Sequence, residues 1–353
     1  MNMTRMTPFR QITRMYQAVL DIQHSLSQFA VSAQSKNERH QADIDSLAER
    51  IARLESTCRQ LLERVEQEPR AAEPPSFVPV PPFTRTSEPG EFMPFSTCSV
   101  ADFYHPRLLE ICAMLNHHFV FHRKLWEWVF VVHHLLESGI VKPGARGLVF
   151  GVGSERLPAL FAKLGAQIVA TDAPEDIGES KGWKATGQHS ATLSQIRYED
   201  IVDGSVFDER VSYETCDMNH IPDHLRDFDF NWSSCCFEHL GNLEAGKQFV
   251  INAVEKCLRV GGVAVHTTEF NLTSDDDTLE SGQTVLYRRR DLLDLVGRLR
   301  SRGHDVRPFV VAPDSHPLDF HVDAPPYKSI PHLKLAYEKY VVTSAGLVVT
   351  RGR

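Results

Sequence analysis

The segment from Leu148 to Pro174 constrains the fold of this chain more than any other. Leu148, Val149 and Phe150 form an apolar run that ends on Gly151 and Gly153. A helix-like stretch follows, then a second apolar run from Ile168 to Thr171, closed by the acid Asp172. Strand, glycine turn, helix, strand and acid, in that order, make the opening βαβ unit of a nucleotide-binding sheet. In such a unit the glycines let the backbone bend tightly and approach a ligand, and an acid about 20 residues on accepts bonds from ribose hydroxyls. The pattern therefore predicts an adenosine-containing cofactor against Gly151, Gly153 and Asp172. Glycines also mark ordinary strand-to-helix turns, and it is the acid that favours binding.

A dinucleotide site prefers a third glycine at the start of the helix, where a pyrophosphate sits. Arg156 holds that place here, which disfavours pyrophosphate. Further on, the segment from Thr215 to Pro222 carries Cys216, Asp217 and Met218. The segment from Phe228 to Leu240 runs through Ser233, Cys235, Cys236, Glu238 and His239, and the segment from Cys257 to Glu269 carries Gly261, Gly262 and His266. Over roughly residues 105 to 350, the order and spacing of these segments resemble the class I S-adenosylmethionine-dependent methyltransferases. The resemblance implies that Gly151 and Gly153 lie under the methionine part of the cofactor and that Asp172 holds its ribose. It further implies that Asp217 lies near the adenine with Met218 packed beside it, and that Glu155 and Ser233 complete the cofactor pocket. The wording around Gly151–Glu155, Trp232–Gly241 and His266–Asn271 is also similar to a subgroup of bacterial methyltransferases from glycan gene clusters.

The chain has 353 residues, of which 42% are hydrophobic, ample for a packed core. Its net charge of −8 at pH 7 argues against a general nucleic-acid binder, which needs a basic surface. Seven cysteines without paired Cys-x-x-Cys spacing read as reduced thiols, not as a disulfide framework or zinc site. No long apolar core follows the N-terminal arginines, so neither a signal peptide nor a membrane span is expected, and a cytoplasmic location follows by default.

Ile12, Met15, Val19, Ile22, Leu26 and Phe29, then Ile44, Leu47, Ile51, Leu54, Cys58, Leu61 and Val65, step by three and four as in a coiled coil. In the second run β-branched residues alternate with leucine, which favours a parallel dimer. A continuous stalk would extend on the order of 80 Å; the alternative is a hairpin that folds back. Pro74, Pro75, Pro79, Pro81 and Pro82 mark an extended linker. The expected domains are thus a helical coiled coil over 1–66, a proline-rich linker over 67–99 and a methyltransferase domain over 100–353. Association with a second copy or a partner is expected through the coil.

Helix is predicted from Pro106 to Leu136, and strands near 147–151, 167–171, 211–215, 228–233 and 262–267. Val306 to Ala312 reads as a further strand, and residues 340–344 and 346–351 read as an antiparallel pair resembling the reversed last strand of the class I enzymes. The fold class is therefore α/β, a Rossmann-like doubly wound sheet with an antiparallel terminal hairpin behind an N-terminal coiled coil.

Methyl transfer from a sulfonium is an in-line displacement that needs the acceptor held near the methyl and, for a hydroxyl, a group to take its proton. His239 and His266 follow strand ends and are the candidate bases, since imidazole ordinarily titrates near neutrality. Each also has a packing alternative, most plainly His266 by strand alternation. Glu269 is suited to orienting a histidine or binding a sugar hydroxyl, and Trp183, Gln188 and His189 suit a carbohydrate ring. Arg123, Lys124 and Trp126 are placed to touch substrate or the methionine carboxylate. Adjacent histidines such as His133 and His134 point to different helix faces, and no metal is expected. The acceptor reads as a sugar or another hydroxyl-bearing metabolite. Competing readings are an NAD-type oxidoreductase and a coiled-coil scaffold with an inactive domain.

Overall fold

The computed structural model describes residues 17–26, 47–57, 59–60, 90–174, 192–327 and 330–353. The chain divides into two compact units, Met1–Pro79 and Val80–Arg353. In the first, residues 17–26 and 47–57 are helical, in keeping with the heptad spacing. Gln23 Nε2 donates to Glu55 Oε1 at 2.7 Å. One continuous helix would hold these residues about 48 Å apart at about 1.5 Å per residue. The expected stalk is therefore corrected: the two segments lie side by side within one chain. Val19 is buried, whereas the heptad positions Ile22, Leu47 and Leu54 stay 37–39% exposed, leaving the apolar seam open. Leu26 and Ile51 are half-buried, and the other heptad positions and the cluster of prolines lie outside the described residues.

The second unit is built on one eight-stranded sheet. Its strands are β1 (Arg146–Phe150), β2 (Gln167–Asp172), β3 (Val211–Thr215), β4 (Phe228–Ser234), β5 (Leu258–Asn271), β6 (Asp305–Val306), β7 (Leu335–Tyr337) and β8 (Tyr340–Thr350). Their order is β3-β2-β1-β4-β5-β8-β6, with β7 paired to β8. β1 to β5 are parallel, and β8 runs antiparallel to β5, β6 and β7. The near-continuous apolar runs read in the sequence are what a sheet covered on both faces requires. Val149, Val263 and Val265 enter the core on one face, and Leu148, Phe150 and Ala264 enter the core on the other.

Seven α-helices accompany the sheet among the described residues of this unit: α1 (Val100–Tyr104), α2 (Pro106–Met114), α3 (Arg123–Glu137), α4 (Leu157–Lys163), α5 (Gly204–Arg210), α6 (Leu243–Asn252) and α7 (Arg289–Ser301). The single helix expected from Pro106 to Leu136 is two. Asn116, at φ 46°, turns the chain out of α2, and the His122 side chain then caps α3, Nδ1 accepting the Lys124 N–H at 3.0 Å. Trp126 is fully buried on α3, and its Nε1 donates to Asp102 Oδ2 on α1 at 2.7 Å.

The end of the chain differs from expectation in a way that has a steric cause. Residues 340–350 form one unbroken strand, paired with β5 from Val263↔Thr350 to Asn271↔Val342. Gly346 is no turn residue: the Phe130 ring of α3 occupies the space where its Cβ would stand. The hairpin is formed instead by β7 and β8, closing at Tyr337↔Tyr340. The strand expected from Val306 to Ala312 is reduced to Asp305–Val306. The last residues assigned to the linker also belong to this unit. Phe92, Met93 and Ser96 to Ser99 are buried, Ser96 N–H donates to Val310 O at 2.7 Å, and Thr97 bridges to Ala345. Among the described residues, no helix is long and apolar enough to cross a membrane.

Candidate active site

From β1 the chain proceeds outward to β2 and β3 on one side and then returns to β4 on the other. Open α/β sheets bind ligands beyond the C-terminal ends of their strands at such a reversal. A cavity of about 820 Å³ stands there, lined by the residues that follow β1, β2, β3, β4 and β5. Small-molecule and cofactor sites span roughly 300–1,000 Å³.

One wall is the glycine turn. Gly151 and Gly153 take φ 63° and 48°, a left-handed region that favours glycine. A Cβ on Gly151 would meet Cys236 Sγ at 2.5 Å, so the turn packs directly on the β4 loop. Gly153 N–H donates to Asp172 Oδ2 at 2.9 Å and Ala173 N–H to Oδ1 at 2.8 Å. Asp172, 4% exposed, thus holds the turn in shape; each carboxylate oxygen has a second acceptor direction. Asp217 and Met218 line the same wall. Asp217 Oδ1 accepts the Asn219 N–H at 2.9 Å, and Oδ2 lies 2.7 Å from His220 Nδ1.

Glu155 also lines the cavity but is buried beneath the turn, accepting from Trp232 Nε1 at 2.6 Å and Ser234 Oγ at 2.9 Å. Burial pushes its carboxyl up to about 8. Arg156 is drawn away to Asp200, to the Leu115 carbonyl at 2.7 Å and onto the Tyr198 ring at 4.2 Å.

The opposite wall comes from distant parts of the chain. Arg123 and Lys124 open α3, and both reach the fully buried Glu127, at 3.3 and 2.9 Å. Although burial opposes it, Lys124 and Arg123 hold the Glu127 carboxyl below its ordinary range. The other guanidinium nitrogen of Arg123 meets Glu269 Oε1 at 2.5 Å. Glu238, wholly buried, accepts from Thr268 Oγ1 at 3.1 Å; burial, and then the charge of Glu269, push its carboxyl up. His239 lines the cavity with Nδ1 at 2.9 Å from the Gln283 carbonyl and Nε2 at 4.0 Å from Glu238 Oε1. The Nδ1–H donated to that carbonyl leaves the lone pair on Nε2. Trp128, Tyr327 and His332 complete this side.

Not every residue singled out in the sequence meets at the cavity. Gly151, Gly153, Glu155, Asp172, Asp217, Met218 and His239 line it, whereas Ser233 and His266 do not. Strand alternation turns His266 to the face of Ala264, against the Phe249 and Phe237 rings at 5.5 and 6.5 Å. Its Nδ1 pairs with Ser233 Oγ at 2.9 Å, and burial pushes the imidazole down to about 3. As a base it is corrected, because it does not line the cavity and burial leaves its imidazole too weak to accept a proton near neutrality. Trp126 is a core residue, and Trp183, Gln188 and His189 lie outside the described residues.

Cys235 and Cys236, read in the sequence as packing residues, both line the cavity, as does Glu238. Only their place directly after β4 signalled this. His133 and His134 do not point apart: both reach Glu137 Oε2, at 3.3 and 3.7 Å.

No family model and no curated protein matches this chain. Among solved structures it is similar to the magnesium protoporphyrin IX methyltransferase of Synechocystis PCC 6803 with bound SAH. That likeness has 14% identity and a TM-score of 0.37, over 63% of this chain and 80% of that one. It is similar to phosphoethanolamine N-methyltransferase 2 of Haemonchus contortus at 18% identity and a TM-score of 0.33, over 50% of this chain and 37% of that one. The cyclase SpnF is similar at 16% identity and a TM-score of 0.34, over 50% and 58%. The chain spans less than two thirds of the length of the latter two proteins. Such slight likenesses add nothing to what the sheet itself shows. The strand order, the reversed β8 and the cavity at the reversal make the fold class I methyltransferase-like.

Proposed function

We propose that this protein is an S-adenosylmethionine-dependent methyltransferase that methylates a hydroxyl of a sugar or other small metabolite. The observation that carries the reading is the wall on which Gly151, Gly153, Asp172, Asp217 and Met218 converge, beside His239, in a cavity of cofactor size. These residues suit an adenosyl cofactor: the glycine turn admits close approach, Asp172 and Asp217 offer acceptors, and Met218 offers an apolar surface. The similarity of the sequence to a glycan-cluster subgroup supports a sugar as acceptor.

Bound there, S-adenosylmethionine supplies an electrophilic methyl group on a positively charged sulfur. The chain's own residues do the rest. Asp172 and Asp217 on the cavity wall provide a field that favours a cationic ligand. Arg123 and Lys124 fix the carboxylates that face the acceptor. His239, which lines the cavity, is the base that takes the acceptor's hydroxyl proton. The open seam at Ile22, Leu47 and Leu54 supports association with a second copy through the N-terminal helices. A cytoplasmic setting suits the six free cysteines among the described residues.

Calorimetric titration with S-adenosylmethionine, S-adenosylhomocysteine and NAD tests the reading. Micromolar binding of the two sulfur compounds alone is expected. Binding of NAD alone would overturn it, and absence of all three would favour a scaffold.

A further inference from the structure

The acceptor wall holds an arrangement that proton abstraction by His239 does not use. Cys235, Glu238 and Glu269 are all buried, all line the cavity, and their ligating atoms lie within 4.8 Å of one another. Each carboxylate is fastened by one oxygen and presents the other. Glu238 Oε2 accepts from Thr268 Oγ1 at 3.1 Å, and Glu269 Oε1 meets Arg123 at 2.5 Å. Glu238 Oε1 and Glu269 Oε2 have no hydrogen-bond partner among the described residues, although Glu238 is 0% and Glu269 8% exposed. An unsatisfied buried carboxylate oxygen has given up its water without replacing it, which disfavours the folded state unless a ligand completes it. Two such oxygens converging beside a thiol call for a ligand that satisfies them together.

We propose that Cys235, Glu238 and Glu269 form a binding site for a borderline divalent cation on the acceptor wall of the cavity. One sulfur and two hard oxygens are the donor set of a zinc-like ion, not of magnesium or calcium, which take oxygen alone. Three protein ligands leave a coordination position facing the cavity, the layout of a metal that binds substrate, not of a closed structural site. Thr268 and Arg123 supply the outer hydrogen bonds that orient the ligating carboxylates. Charge agrees. With Arg123 and Lys124 partly countered by Glu127, the ionised ligand set leaves two net negative charges, which a divalent cation neutralises. Placed there, the ion would grip the acceptor's oxygen and ease loss of its proton toward His239. The binding claim stands apart from methyl transfer; only this last role rests on the function proposed above.

The test is titration of the full chain, stripped with chelator, with Co²⁺ as the probe. One equivalent is expected to bind with a thiolate-to-cobalt charge-transfer band in the near ultraviolet. Cys235→Ser is expected to abolish the band and weaken binding at least tenfold. Glu238→Gln with Glu269→Gln is expected to weaken it a hundredfold or more while S-adenosylhomocysteine affinity is kept, which also shows that the variant is folded. Absence of the band in the wild-type chain would overturn the proposal without any variant. So would a band that survives Cys235→Ser, or binding that is lost on His133→Ala in place of the glutamine changes. Cobalt binding with the band but without S-adenosylhomocysteine binding would sustain this site and remove the cofactor reading.

Discussion

The wall of the cavity proposed to hold the cofactor takes its residues from three short segments, Gly151 to Glu155 after β1, Asp172 and Ala173 at the end of β2, and Cys216 to Asn219 after β3, and holds them with backbone N–H bonds to carboxylates. The acceptor wall draws Arg123, Glu238, Glu269, Tyr327 and His332 from segments as much as two hundred residues apart and holds them through buried charge pairs. A wall made of turns is shaped by local geometry, so its loss alters ligand affinity more than folding. A wall made of buried charges is shaped by mutual neutralisation, so removing one member leaves its partners stranded in a poor solvent.

The strongest way to break that contrast is Arg123→Met, which strands Glu269 and leaves the buried Glu127 to Lys124 alone. A loss of about 3–5 kcal/mol in folding stability is expected, read by urea denaturation. A loss under about 1 kcal/mol would show that the acceptor wall is as local as the other. His239→Asn is next. It is expected to slow methyl transfer on the order of 10²–10⁴-fold while leaving S-adenosylhomocysteine affinity within a factor of about two. Equal falls in rate and affinity would move His239 from the acceptor wall to the cofactor wall.

Asp172→Ala is expected to weaken cofactor binding by roughly 1–3 kcal/mol in calorimetry, because it removes the acceptors that hold the turn and, in the proposed function, those for the ribose. Unchanged affinity would mean that the glycine turn keeps its shape without its carboxylate. A further effect, spread over a wide pH range, concerns Asp102, which accepts from the buried Trp126. Burial pushes its carboxyl up to about 7 from an ordinary 3.8. The folded state therefore holds the proton more tightly than the unfolded one. The resulting stability is present below about pH 4 and is lost as pH rises through 7, with a slope below about 1.4 kcal/mol per pH unit. Subtracting an Asp102→Asn melt series from the wild-type series should show that slope, and a flat difference would refute the burial effect.

The contrast also explains what was legible beforehand. The positions of β1 to β5, the glycine turn and Asp172 were read from apolar periodicity and from residue types that only a few backbone conformations need, whereas Asp217 and Met218 were implied by the family resemblance. The N-terminal helices were legible as heptads, but their pairing was not. Spacing by three and four describes a face, and only the Gln23–Glu55 contact showed that the two helices lie side by side within one chain. Gly346 was misread as a turn because the sequence names a missing side chain without saying what fills the space. Phe130 fills it, from more than two hundred residues away.

From the sequence alone followed the parallel strands, the position of the ligand turn and Asp172 beside it, since these depend on neighbours within one βαβ unit. Tertiary structure alone decided which histidine faces the cavity, that Glu155 is buried beneath the turn, and that Cys235, Glu238 and Glu269 converge. Side-chain direction at a strand end depends on register with the next strand, and the charge a buried group keeps depends on which partners the fold brings within a few ångströms.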